Sequence, residues 1–306
     1  MSTTRDEQSS PTAQVDRSAL ATVERARRSE LSRAWHRFSR YRPGLVGLAF
    51  LVVLAVLAIA PGLFAPYSPN QANPDLLGAA PSLAHPLGMD EIGRDELSRI
   101  IFGARVALIV GLLATAISVA IGVIVGATAG FFGGWVDTVL SRIVDTIMAF
   151  PTLALLIALV AVVGPSLSTT ILVIGLTVWA SYARVARGDV LSLRERDFIT
   201  AARSAGATDA RIIARHVVPN VLGPIIVLAT LSVGSIIILE AALSFLGLGV
   251  QPPTADWGAM LASARAYIQT YPQIAIAPGV MISLTVLAFN VIGDGLRDAL
   301  DPRGRD

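Results

Sequence analysis

Cysteine is absent from this 306-residue chain, which excludes disulfides, thiolate metal sites and a cysteine nucleophile. Lysine is absent as well: all 24 basic residues are arginine. A Walker A phosphate loop requires its lysine, so the chain is not a conventional P-loop ATPase, and any ATP that drives it is hydrolysed on another polypeptide. Charge of either sign is scarce, at 15% of residues against roughly 25% in a soluble domain. Histidine occurs only at His36, His85 and His216. No HExxH and no Gly-x-Ser-x-Gly is present, so no catalytic residue is assigned. The net charge of +2 comes from arginines clustered beside apolar runs and makes no case for nucleic acid.

What is abundant is apolar sequence, 54% of residues with a mean hydropathy of +0.65, which places the protein in a membrane. Residues 1–29 are polar and aperiodic, and are expected to be a disordered cytoplasmic tail with no cleavable signal peptide. Leu31, Trp35, Phe38 and Tyr41 then face one way and Arg33, Arg37 and Arg40 another, predicting a flat interfacial helix with its aromatic side in the headgroups. Spans are predicted at 44–67, ended by Pro61, Pro66 and Pro69, and at 106–135. A long run over 146–183 is split into two spans by Gly164-Pro165-Ser166, with Pro151 kinking the first of them. The fifth span falls within 217–250 and the sixth at 266–293. On the second, Gly122, Gly126 and Gly130 form overlapping small-xxx-small units that predict a close helix contact. The arginine-rich N-terminal flank and the positive 184–220 segment are expected inside, and six spans then put the C-terminus inside too, although its weakly acidic tail does not itself favour that side.

Three polar features stand out. The segment 68–103 leans acidic and suits the outer face. Its one histidine and several carboxylates lack metal-ligand spacing, and Asp95 with Arg99 is expected to brace the next helix as an i, i+4 pair. Glu240 is alone in an apolar setting, where it either bonds structurally to a neighbouring helix or lines a path through the membrane. Residues 242–261, with Pro252-Pro253 and Trp257, read as a re-entrant or interfacial turn on the outer side.

The third feature is the polar stretch 194–220, with seven arginines against four acids over 184–220. Phe198, Ile199, Ala202 and Ala205 recur at helical spacing, and Gly206 can take the positive φ of a helix end. Thr208 can cap a second helix with Asp209 in its first turn. Ile212, Ile213, His216 and Val217 continue that helix until Pro219, which is expected to stop it. Such a segment is either a docking knob or a bland amphipathic loop.

Ala201-Ala202, Gly206 and Pro219 resemble the coupling loop of permease subunits in bacterial ATP-driven importers, with Thr200 where a Glu is usual. The run HPLGMDEIGRDELSR resembles the signature before the second span of dipeptide and oligopeptide permeases, with Met89 in place of Thr. The string ALSFLGLGVQPPTADWGAML resembles the second permease subunit of the same family, which includes nickel and glutathione importers. The resemblance implies an all-α integral membrane protein with six transmembrane helices, a type I importer (MetI-like) core over 104–298 and a cytoplasmic C-terminal tail at 299–306. The interfacial helix, first span and outer segment occupy 30–103. It further implies an ATPase-coupling site of Thr200, Ala201, Ala202, Arg203, Gly206, Asp209, His216 and Pro219, and a translocation path for di- or oligopeptides in the bacterial inner membrane. The implied partners are a second homologous permease, two cytoplasmic ATPases carrying ATP and Mg²⁺, and an extracytoplasmic solute-binding protein. No cofactor or metal is expected on this chain. A nickel or glutathione permease, or an ATP-independent channel or secondary transporter, are the competing readings.

Overall fold

The computed structural model describes residue 32 and residues 35–300. The expected tail at 1–29, Leu31 and Arg33 of the interfacial helix, and 301–306 of the C-terminal tail lie outside the described residues.

Among the described residues the regular structure is helical, with two isolated β-bridges, Ala72–Arg94 and Met89–Asp95, in the outer segment. Five stretches are long and apolar enough to cross a membrane: α1 (Arg42–Ile59), α2 (Glu96–Phe132), α5 (Leu167–Leu193), the run Asp209–Phe245 and α10 (Gln273–Leu300). A sixth crossing requires α3 (Gly134–Ala149) and α4 (Thr152–Val163) together, and these meet at 90°. The predicted third span is therefore a bent pair, with the geometry of a broken span or of a re-entrant loop. Phe150 is extended ahead of Pro151, whose ring disfavours helical backbone in the residue before it. At 12 residues α4 spans only about 18 Å and cannot cross alone.

Three more expected boundaries move. The first span stops at Ile59, because Pro61 forces a turn and only one further helical turn, Pro61–Phe64, follows. The second begins at Glu96, ten residues early, because Asp95 caps it. The sixth begins only at Gln273 and runs on to Leu300.

α2 and α5 pack along their lengths. A Cβ on Gly122 would sit 2.8 Å from the Trp179 carbonyl, one on Gly126 2.8 Å from Ala186 Cβ, and one on Gly130 2.9 Å from the Arg187 carbonyl. The glycine ladder is thus the helix contact it was expected to be: in lipid, backbone approach through small residues supplies the packing that apolar side chains alone cannot. Asp137 of α3 pairs with Arg187 of α5, its Oδ2 2.7 Å from Nη2. α3 is thereby tied to the same end of the bundle.

The outer signature folds into a knot over the start of α2. Asp95 does not pair with Arg99. Its Oδ2 accepts from the amide and hydroxyl of Ser98 at 2.8 and 2.7 Å, and its Oδ1 lies 2.8 Å from His85 Nδ1. With Asp95 engaged as a cap, Arg99 turns to Asp90 at 3.5 Å and to the Pro69 carbonyl at 3.1 Å. Trp257, expected at an interface, is instead buried. Its indole donates to the Ile100 carbonyl at 3.0 Å and fills the space beside Gly103. Phe38 departs from expectation in the same way. It packs with Tyr41 against Gly295 of α10, leaving Trp35 as the exposed aromatic.

Candidate functional site

The segment between α5 and the fifth crossing is two helical pieces around one glycine. α6 (Asp197–Ser204) ends in a left-handed residue, Gly206, at φ +82°. Gly206 N donates to the Arg203 carbonyl at 3.0 Å and Ala207 N to the Ala202 carbonyl at 3.1 Å. That is the paired bonding of a Schellman cap, and it brings Ala207 onto Ala202. The Ala-Ala…Gly spacing has a local cause: small residues under the cap, and a residue without Cβ at the positive φ. Thr208 then caps α7 (Asp209–Ile212), its hydroxyl accepting from Arg211 N at 3.4 Å, with Asp209 in the first turn.

Pro219 does not stop this helix. Ile213–Val217 form a π-helical turn that runs directly into α8 (Val218–Phe245), with Pro219 in its first turn. The wider turn makes room for the proline ring and removes the need for its missing amide. The His216 carbonyl accepts instead from Asn220 Nδ2 at 2.6 Å. The second piece is therefore rigidly continuous with the fifth crossing.

Two isoleucines hold the segment down. Ile199 of α6 and Ile212 of α7 are buried with Phe131 and Ala127 at the end of α2, Val190 of α5, and Val217 and Val221. Full burial of an isoleucine contributes about 2–3 kcal/mol, so these two contacts outweigh everything polar in the loop. Above them, Thr200, Ala201, Arg203, Gly206, Asp209 and Pro219 are exposed, and Ala202 and His216 half-buried. Arg203 lies 3.6 Å from Asp209 and 5.5 Å from the Phe131 ring centre, pinning the outer edge of the cap. Phe198, expected on the packed face, is 41% exposed, with the His216 ring 6.5 Å away. Six of the eight predicted coupling residues are thus exposed and the other two half-buried.

Glu240 lies elsewhere. It is buried near the far end of α8, where Ser244 donates to its Oε1 at 2.9 Å, beside the equally buried Asp256. Asp256 caps α9 (Trp257–Ala264) by accepting from Ala259 N at 2.8 Å. Glu240 thus joins α8 to the outer turn. It does not line the cavity of about 480 Å³ that opens between α4, α5 and α8. Thr152, Thr177, Ser181 and Ser235 line that cavity among aliphatic neighbours. No periodicity singled out these hydroxyls, although polar side chains recurring on the faces of two apolar helices were a readable signal. No cluster of three or more His, Asp or Glu able to hold a metal occurs among the described residues.

Comparison with known proteins agrees with this geometry. Residues 118–306 match the family described as binding-protein-dependent transport system inner membrane component. Residues 29–84 match the N-terminal transmembrane domain of oligopeptide transport permease C. Over 270 residues the chain is 45% identical to the glutathione transport system permease protein GsiD of Escherichia coli O6:K15:H31 (strain 536 / UPEC). It is equally similar to that of Shigella boydii serotype 4 (strain Sb227), and each match covers 88% of this chain and 89% of the relative. These relatives are transport components, which accords with a chain built as a multi-pass helical bundle around an anchored polar loop. The chain accordingly belongs to the binding-protein-dependent inner-membrane permeases, as an ABC importer permease of the peptide/oligopeptide type.

Proposed function

We propose that this chain is one of two homologous permease subunits that together form the path for di- or oligopeptides in an ATP-driven importer. An extracytoplasmic solute-binding protein delivers the solute. Two cytoplasmic ATPases, which carry the ATP and Mg²⁺, receive the 194–220 loop. The loop and both termini then face the cytoplasm, in keeping with its excess of arginine.

The observation that supports this most directly is the anchoring of the loop. Its exposed face presents Ala201, Arg203, Gly206 and Asp209, while Ile199 and Ile212 clamp its underside to the ends of α2, α5 and α8. A displacement of the exposed face is therefore handed to three membrane helices at once. ATP binding does work on the path only if it favours one arrangement of the bundle over another, and this loop is where the differential contacts would be made. The hydroxyl-bearing cavity between α4, α5 and α8 is the natural solute face, and Glu240 serves it indirectly by fixing the outer end of α8.

Gly206→Pro tests the coupling role. Proline cannot adopt φ +82° and has no amide to donate to Arg203, so the Schellman cap is lost while the buried anchors remain. The variant is expected to reach the membrane normally and to import nothing above background in vesicles with its partners. Wild-type uptake would remove the coupling assignment. A second reading, glutathione as the solute, is favoured by the 45% identity to GsiD. Labelled glutathione and a labelled dipeptide offered to the same vesicles separate the two.

A further inference from the structure

Two cavities lie one beyond the other along the groove between α5 and α8. One is the hydroxyl-bearing cavity, which α4 and the end of α3 help to line. The other, also about 480 Å³, is nearer the coupling loop and is lined by Val185, Gly223, Pro224, Leu228, Arg297 and Leu300. On α8, Pro224 and Leu228 fall on the same narrow face as Ser235 and Ile238, since seven or eleven residues return an α-helix nearly to its starting azimuth. On α5, Thr177, Ser181 and Val185 follow one another in four-residue steps, each turning about 40° around the helix. The two cavities therefore share α5 and α8 as walls, and Pro224 of one lies roughly 16 Å along α8 from Ser235 of the other.

They differ in charge. Thr152, Thr177, Ser181 and Ser235 give the first cavity its polarity, and none of its lining residues is ionisable. Thr177 and Ser181 donate to the carbonyls of Val173 and Val178, whereas Thr152 and Ser235 have no hydrogen bond among the described residues. Arg184, which lines a separate cavity between α2, α3 and α5, is already paired, 2.7 Å from Asp145. The second cavity holds a guanidinium without such a partner. Arg297 forms no ion pair among the described residues, although Asp294 and Asp298 flank it on α10. Asp189, one turn along α5 from Val185, keeps its Oδ2 buried and without a hydrogen bond. Opposite Arg297 the wall is notched, because Gly223 has no side chain and open space lies at its Cβ position.

We propose that these cavities are successive chambers of this subunit's half of the solute path, and that Arg297 is a specificity-determining residue that receives the carboxylate of the solute. The inference rests on the permease reading above and narrows its solute class. A guanidinium matches a carboxylate with two parallel hydrogen bonds, a fit that a C-terminal amide cannot reproduce. The path thus suits peptides with a free C-terminal carboxylate.

The test uses the complete transporter in proteoliposomes with saturating binding protein. The probes are labelled alanyl-alanine and its C-terminal amide, and each variant's uptake is expressed relative to wild type. Arg297→Gln is expected to slow the free acid roughly tenfold, the loss of about one charge-assisted pairing, and to leave the amide unchanged. Arg297→Lys should recover part of the loss. Binding-protein-stimulated ATP hydrolysis should stay at the wild-type rate in both variants, so a merely misfolded protein is recognised. Equal slowing of acid and amide, or no slowing of either, overturns the assignment and leaves Arg297 as a cation at a helix C-terminus. Absence of stimulated ATP hydrolysis in the wild-type complex would instead bring down the permease reading.

Discussion

The knot at 85–99 and the loop at 194–220 are both dense in arginine and carboxylate, yet they handle charge in opposite ways. In the knot Asp90, Asp95 and Arg99 are all 5% exposed or less, and the oxygens of the two aspartates have donors. In the loop the side chains of Arg203 and Asp209 are 62% and 50% exposed, 3.6 Å apart, and screened by water. Buried, partnered charges of the first kind hold one geometry, and removing one strands the others. Exposed charges of the second kind hold little of the fold and are left free for another surface. The knot holds the start of α2, and the loop leaves its charges exposed.

The comparison breaks if the knot proves expendable. Asp95→Ala removes a helix cap and strands His85 and Ser98, a loss of about 3 kcal/mol or more. The variant should accumulate poorly and melt well below wild type in detergent, with Asp95→Asn recovering part of the loss. A wild-type melting profile for Asp95→Ala would show the buried cluster to be decoration. A smaller effect is expected beneath the loop. Ile199→Ala leaves a hole among Phe131, Val190 and Ile212 at a cost of about 3 kcal/mol, most of it confined to that end of the bundle. ATP hydrolysis should persist in the assembled transporter while uptake per ATP falls several-fold. Unchanged coupling would mean that work enters the bundle elsewhere. The smallest effect on stability belongs to Arg203→Ala, below about 1 kcal/mol, because its ion pair and ring contact are both solvated. Its signature should be weakened association with the ATPases, read by co-purification, at an unchanged melting temperature.

Local chemistry was legible wherever the residues that decide it are neighbours in the chain. Gly206 at a positive φ, Thr208 as a cap and the small-residue ladder of α2 all follow from a few adjacent side chains. Pro219 was misleading because a proline ends a helix only if the turn before it is α-helical, and a π turn with Val217 and Val221 tucked into the core admits it. Asp95 and Arg99 have the spacing of an ion pair. Asp95 is nevertheless occupied by Ser98 and His85, and Asp90 is placed to take the arginine.

Composition, hydropathy and the absence of lysine were enough to determine a multi-pass helical membrane protein without a conventional P-loop, because insertion into lipid depends on runs of consecutive residues. Only the tertiary structure decided that α3 and α4 meet at 90°, that Glu240 is sealed beside Asp256, and that two cavities share α5 and α8 as walls. Each of those depends on which helices touch, and contacts between segments a hundred residues apart leave no period in the chain.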